Sequence, residues 1–355
     1  MKGLLKVLSP FAPDQSGAAA VFYDMGCITV ICDAGGCTGN VCGFDEPRWF
    51  RNAKPIFSAG LRDMDAILGR DDRLVDKLRL VAEKTDADFA AIIGTPVPAV
   101  IATDFRALKR LAEKRCGMPV VTCECTGTRL YDIGEEEAYM QLVKTFADTS
   151  AEASGKSGIL GVLGVTPLNI SSIDGDELIR QHYKSQGYDE VYCYGMGAGL
   201  DELKLAGCAE KNIVIAPSGL KAARYLEKKF GTPYELHYPL MPVNVAEAIK
   251  GIENARVCII HQQIAAEAVR QQLEQKGCDV TVASFFEMKK DLRRAQDVAL
   301  ETEEDYQKLI EEGGFDYVIA DQLFRRAVAA DCYKEWIPMT HFAVSGKLEE
   351  AQCAL

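Results

Sequence analysis

Long apolar runs, basic stripes and a phosphate-binding loop are all missing from this chain, and each absence removes a class of function. The longest hydrophobic stretches are strand-sized, so no membrane span is expected. The opening Met1-Lys2-Gly3-Leu4-Leu5-Lys6-Val7 is too short for a secretory signal, which points to a cytoplasmic protein. A net charge of −12, with no basic stripe interleaved with aromatics, argues against nucleic-acid binding. No Gly-x-x-x-x-Gly-Lys-Ser/Thr sequence occurs, so the chain is not expected to bind a nucleotide itself. Histidine is scarce, at four residues, which leaves few imidazoles for acid–base or metal chemistry.

Cysteine, by contrast, is plentiful. Thirteen in a reducing compartment do not make a disulfide framework, so each is a small buried hydrophobe, a metal ligand or a redox group. Cys193, Cys208, Cys258 and Cys278 sit in apolar strand or helix contexts and read as core. The segment Cys27-Ile-Thr-Val-Ile-Cys32-Asp-Ala-Gly-Gly-Cys37-Thr-Gly-Asn-Val-Cys42-Gly differs, because it spaces four cysteines five residues apart. That step places neighbours on opposite faces of a strand and about 140° apart around a helix, so no regular element gathers all four. Ile28 to Ile31 reads as a buried strand that sends Cys27 and Cys32 to opposite sides. Gly35, Gly36, Gly39 and Gly43 free the backbone around Cys37 and Cys42, which become the leading ligand candidates.

Length and a hydrophobic content of 48% allow two or three domains with sizeable cores. Strand patterns at 87–94, 118–124, 158–164, 190–194, 212–216, 256–261, 279–283 and 315–320 alternate with helical ones such as 73–84, 105–115, 176–186, 220–230, 265–276 and 303–312. Such alternation predicts α/β architecture: three Rossmann-like, doubly wound domains with parallel sheets around a central cleft. The small, polar stretch from Ala151 to Gly158 and the Pro-rich Tyr238-Pro239-Leu240-Met241-Pro242 before Gly251 mark the junctions. They divide the chain into 1–153, 154–253 and 254–355, with ligands expected at the carboxyl ends of strands.

At those ends stand Cys123-Glu124-Cys125, whose two thiols share a strand face, and His261, a candidate for substrate contact or proton donation. Gly195-Met196-Gly197-Ala198-Gly199 reads as a tight turn, since it lacks the full dinucleotide spacing. Asp321 and Arg325 face the cleft or flank a helix, and His182 and His237 read as structural or surface residues.

Several segments in shared order resemble the large-component family of nitrogenase-like oxidoreductases over nearly the whole chain. This family includes nitrogenase molybdenum-iron subunits, their cofactor-assembly scaffolds, dark protochlorophyllide reductases and the reductive cyclase of nickel-tetrapyrrole synthesis. The segments are Asp14-Gln15-Ser16-Gly17-Ala18, Asp33-Ala34-Gly35-Gly36-Cys37, Gly94 to Asp104, and Ala222 to Phe230 with its Gly231-Thr232-Pro233-Tyr234 turn. The resemblance implies an iron–sulfur cluster, of 4Fe-4S type, near an interface with a second copy or a sister subunit. It also implies electrons from an ATP-dependent, iron-protein-like reductase, and reduction of a small-molecule or tetrapyrrole-like substrate between the domains.

Of the three cysteines used by nitrogenase subunits in this region, only the middle one, matching Cys37, is present; the others fall near Pro13 and at Thr95. Where the catalytic subunit anchors its iron-molybdenum cofactor, the chain reads Ile215-Ala216-Pro217-Ser218, so nitrogen fixation by that cofactor is not expected. His341 resembles a cofactor-ligating histidine of that subunit. A four-thiolate cube is then completed in one of three ways: by Cys37 and Cys42 from each protomer of a twofold dimer, within one chain, or with a sister subunit that adds Cys32, Cys123 or Cys125. A non-catalytic scaffold for metallocluster assembly and a cluster-free ligand-binding protein are the alternatives to an enzyme.

Overall fold

Helix Phe105–Cys116 shows how closely local sequence dictates this architecture. Asp104 accepts hydrogen bonds from the Arg106 and Ala107 amides at 3.0 Å each, and Gly117 stops the helix in left-handed geometry at φ 68°. Between these caps Phe105, Leu108 and Ala112 form the buried face. The computed structural model describes residues 5–148 and 158–349; most of the predicted Ala151–Gly158 junction lies outside the described residues.

Among the described residues, three wholly parallel sheets form the frame. The first joins β1 (Cys27–Ile31), β2 (Ile56–Ser58), β3 (Phe89–Ile93) and β4 (Val120–Cys123) in the order β2-β1-β3-β4. The second joins β5 (Ile159–Leu163), β6 (Glu190–Cys193), β7 (Lys211–Val214) and β8 (Tyr234–Leu236) as β6-β5-β7-β8. The third, ordered β11-β10-β9-β12-β13, consists of β9 (Arg256–Ile260), β10 (Asp279–Ser284), β11 (Val298–Ala299), β12 (Tyr317–Ala320) and β13 (Glu335–Pro338). In each, the chain starts at an interior strand and winds outward both ways, which opens a crevice where strand order reverses. The reversals lie between β1 and β3, β5 and β7, and β9 and β12.

Helix Asp14–Phe22 is buried along its whole length, because helix Tyr131–Phe146 crosses it at backbone contact. A Cβ on Gly17 would stand 1.9 Å from the Tyr131 carbonyl oxygen, and one on Gly134 would stand 1.8 Å from that of Asp14. Asp14 locks the crossing by accepting from the amides of Thr126 at 2.9 Å and Gly127 at 2.8 Å, and from Arg129 Nε at 2.9 Å. No helix among the described residues is long and apolar enough to cross a membrane.

Candidate functional site

The first reversal holds the cysteine loop. Beyond β1, Asp33 is buried and accepts from the Thr38 amide at 2.8 Å, Thr38 Oγ1 at 3.0 Å and Ser58 Oγ at 2.6 Å. This carboxylate draws the Gly35 turn, at φ 126°, into a helical turn Gly36–Asn40, which widens into a π-helical turn Val41–Asp45. Cys37 and Cys42 ride these turns half-buried, against the same apolar cluster.

Partial burial, then Asp33, raises the Cys37 thiol, opposed by the neighbouring Thr95 hydroxyl. Partial burial, then Glu46 and Asp33, raises Cys42. One carboxylate therefore acts on both thiols, and both are protonated at neutral pH. Among the described residues no group of three or more His, Cys, Asp and Glu side chains could hold a metal ion by itself.

The remaining cysteine candidates lie deeper. Cys32 points through the sheet into the cluster of Leu74, Val75 and Leu78, where burial pushes its thiol up to about 12. Cys27 packs on the opposite side, as the strand alternation requires. Cys123 and Cys125 are both buried in the larger cluster, and desolvation drives both well above the ordinary thiol range.

Arg48, absent from the sequence-derived candidates, buttresses the loop from below. Its guanidinium is bidentate to Glu46 at 2.7 and 2.6 Å, meets Asp24 at 3.0 Å, and donates to the carbonyls of Ala20 and Gly195 at 2.7 Å each. Gly195 lies in the tight turn after β6, with φ 97°. Arg48→Met is expected to cost about 3 kcal/mol, because Glu46 would be left buried without its partner; the urea midpoint measures it.

The second and third reversals converge on one buried polar seam. Glu135 accepts from Thr166 Oγ1 at 2.5 Å, Asn169 Nδ2 at 2.7 Å and Ser218 Oγ at 2.7 Å. Tyr131 donates to Asn169 Oδ1 at 2.8 Å and lies 3.0 Å from His341 Nε2. His341 stacks on His261 with ring centroids 4.3 Å apart, and its amide donates to Asp321 at 2.9 Å. His261 and His341 are 2% and 0% exposed, so both histidine candidates are packed side chains. The free space against His261 is ≈ 20 Å³, about enough for one water. Glu135, inside Glu135-Glu136-Glu137, looks like part of a solvated face in the sequence; the preceding Gly134 was the available signal of burial.

Burial raises the Glu135 carboxyl to about 8 and lowers the His261 imidazole to about 4; it also holds His341 well below its ordinary value. A raised carboxyl contributes stability that is full below its unfolded pKa and is lost as pH rises through about 8. A depressed histidine contributes stability above about 6.5 that is lost as pH falls through about 4. This seam is therefore most favourable near pH 6.5 and should lose on the order of 2 kcal/mol by pH 8. Urea unfolding at the two pH values tests this, and Glu135→Gln should flatten the slope.

A family model described as Nitrogenase component 1 type Oxidoreductase matches residues 15–249. The chain is 27% identical over 188 residues to the nitrogenase iron-molybdenum cofactor biosynthesis protein NifE of Clostridium pasteurianum, covering 52% of this chain and 39% of that protein. It is 21% identical over 246 residues to a light-independent protochlorophyllide reductase component of Synechococcus sp. (strain JA-2-3B'a(2-13)), covering 66% and 48% respectively. The chain thus spans about half the length, or less, of these curated relatives. Its fold is similar to that of nitrogenase Cp1 at pH 6.5, with a TM-score of 0.70 at 11% identity, over 92% of this chain and 84% of that one.

Proposed function

Because the chain belongs to the nitrogenase component 1 type oxidoreductase family, we propose that it is the substrate-side component of a nitrogenase-like redox system. Cys37 and Cys42 would hold half of an iron–sulfur cluster, and a second copy of the chain across a twofold axis supplies the other half. The same reading takes 1–153, 154–253 and 254–355 as its three domains, and the cytoplasm as its location. One observation carries it: two half-buried thiols share a carboxylate on a glycine-rich turn, at a strand-order reversal, without a complete ligand set among the described residues of one chain.

The donor set fits such a group. Thiolates are the usual ligands of these clusters, and two per protomer make four in a twofold dimer. The surface around them suits a partner: Gly35, Gly36, Gly39 and Gly43 have no atom within 4 Å of a would-be Cβ, while nearby Phe44 and Phe50 are each 74% exposed. When bound, the cluster supplies one-electron transfer. The chain's own residues would hold it and exclude water from its inner side, while Asp33 and the Arg48–Glu46 pair fix the turn. In this reading the electrons come from an ATP-dependent, iron-protein-like reductase and go to a small molecule bound between the domains.

A scaffold for metallocluster assembly is the second reading. The similarity to NifE, a nitrogenase iron-molybdenum cofactor biosynthesis protein, supports it. Anaerobically purified protein, assayed with a reductase of the iron-protein type and ATP, distinguishes them. ATP-dependent reduction of the cluster by that reductase, followed by its reoxidation with an added electron acceptor, supports the redox component. Transfer of intact metal cargo to an acceptor protein, without ATP-dependent turnover, replaces it with the scaffold.

A further inference from the structure

A well-walled space near the second and third sheets lies away from the cysteine loop, and neither the cluster nor its electrons are needed to explain it. It has a volume of ≈ 270 Å³ and opens at the carboxyl end of β8, against helix Gln263–Glu274. Leu236, Tyr238, Ile264, Ala268 and Leu292 form an apolar floor. Tyr238 also borders the ≈ 20 Å³ void against His261, so the two spaces share this residue.

The walls are held in place before any ligand arrives. Gln263 Oε1 accepts from the Lys289 amide at 2.9 Å and its Nε2 donates to the Lys289 carbonyl at 3.3 Å, which pins the segment leading to Leu292 and Arg294. Arg294 is forked onto both oxygens of Glu274, at 2.7 and 2.9 Å, and also bonds Glu267. That guanidinium is ion-paired with two carboxylates, so the cavity offers no unpaired cation to an anionic ligand. His237, on the rim, has Nδ1 within 2.6 Å of the Tyr183 hydroxyl, which leaves Nε2 as the ring atom available to a ligand. With Tyr183 donating, Nε2 carries the hydrogen and serves as a donor.

We propose that this cavity is a ligand site for a small uncharged molecule with an apolar body, about the size of a substituted aromatic ring, and one hydrogen-bond acceptor directed at His237. Its volume is about twice that of a cavity that takes up benzene, and too small for a tetrapyrrole macrocycle. The apolar floor supplies affinity, and the neutralised wall selects against negative charge.

Acetophenone, benzoate and protoporphyrin IX are suitable probes, titrated into the full chain and followed by calorimetry and protein-observed NMR. The site predicts saturable one-to-one binding of acetophenone, with at least tenfold weaker binding of benzoate and no competition from protoporphyrin. Ala268→Trp should weaken acetophenone at least tenfold, and Ala268→Leu, a milder filling, severalfold; His237→Phe should weaken it severalfold while leaving the melting temperature within a few degrees. Absence of saturable acetophenone binding, equal affinity for benzoate, or unchanged binding in a folded Ala268 variant would overturn the proposal. None of these readings depends on a cluster, so they succeed or fail separately from the redox assignment.

Discussion

Replacing Cys37 with serine is expected to reduce bound iron to below about one tenth of the wild-type content while leaving the fold intact. A twofold axis doubles every ligand substitution, so one change removes two of about four thiolates from the cluster. Serine is nearly isosteric, and its site is half-exposed, so packing should change by less than about 0.5 kcal/mol. Cys42→Ser should behave alike, since the two thiols share Asp33 as a neighbour. Cys32→Ser should keep its iron, because that side chain packs beneath the sheet with Leu74 and Leu78 and is expected to affect stability alone. Iron and sulfide per chain, with far-UV circular dichroism as the folding control, measure all three. Full iron in the Cys37 variant would remove that residue from the ligand set.

Gly134→Ala is expected to destabilise the chain by more than about 4 kcal/mol, enough to leave little soluble protein. In an ordinary helix interior the same change would stabilise by up to about 1 kcal/mol. Here the new methyl would run into the backbone of Asp14, at 1.8, 2.6 and 3.0 Å from its O, C and Cα, so no rotamer relieves it. The two helices must separate, and that movement pulls Asp14 from the Thr126 and Gly127 amides and from Arg129. Gly251→Ala is the control, because nothing lies within 4 Å of that would-be Cβ; it should change the urea midpoint by less than about 0.5 kcal/mol.

The parallel α/β frame is legible because long apolar strands and capped amphipathic helices carry their period over many residues. Helix 105–115 is found at Phe105–Cys116, and the strand at 256–261 at Arg256–Ile260. Outer strands such as Ile56–Ser58, Val298–Ala299 and Glu335–Pro338 are too short, at two to four residues, to show a period. Pairing with a neighbour defines them.

The cysteine loop is legible from glycine spacing and strand alternation. Its supports are less so: Arg48 is one arginine among many, and its bond to Gly195 spans 147 residues. The buried seam is harder still, because Glu135, Asn169 and Ser218 come from distant segments and each alone resembles an ordinary surface residue. His261 can be read as a cleft-facing candidate from its position after a strand, and His341 as a candidate from the family resemblance. Their mutual stacking follows only once the sheets are assembled.

Native mass spectrometry of the anaerobically reconstituted protein tests the shared half-site most directly. The account predicts about four irons and four sulfides on a dimer of the chain, and none on the monomer. A monomer that retains a complete cluster, or a dimer that stays free of iron after reconstitution, would contradict it.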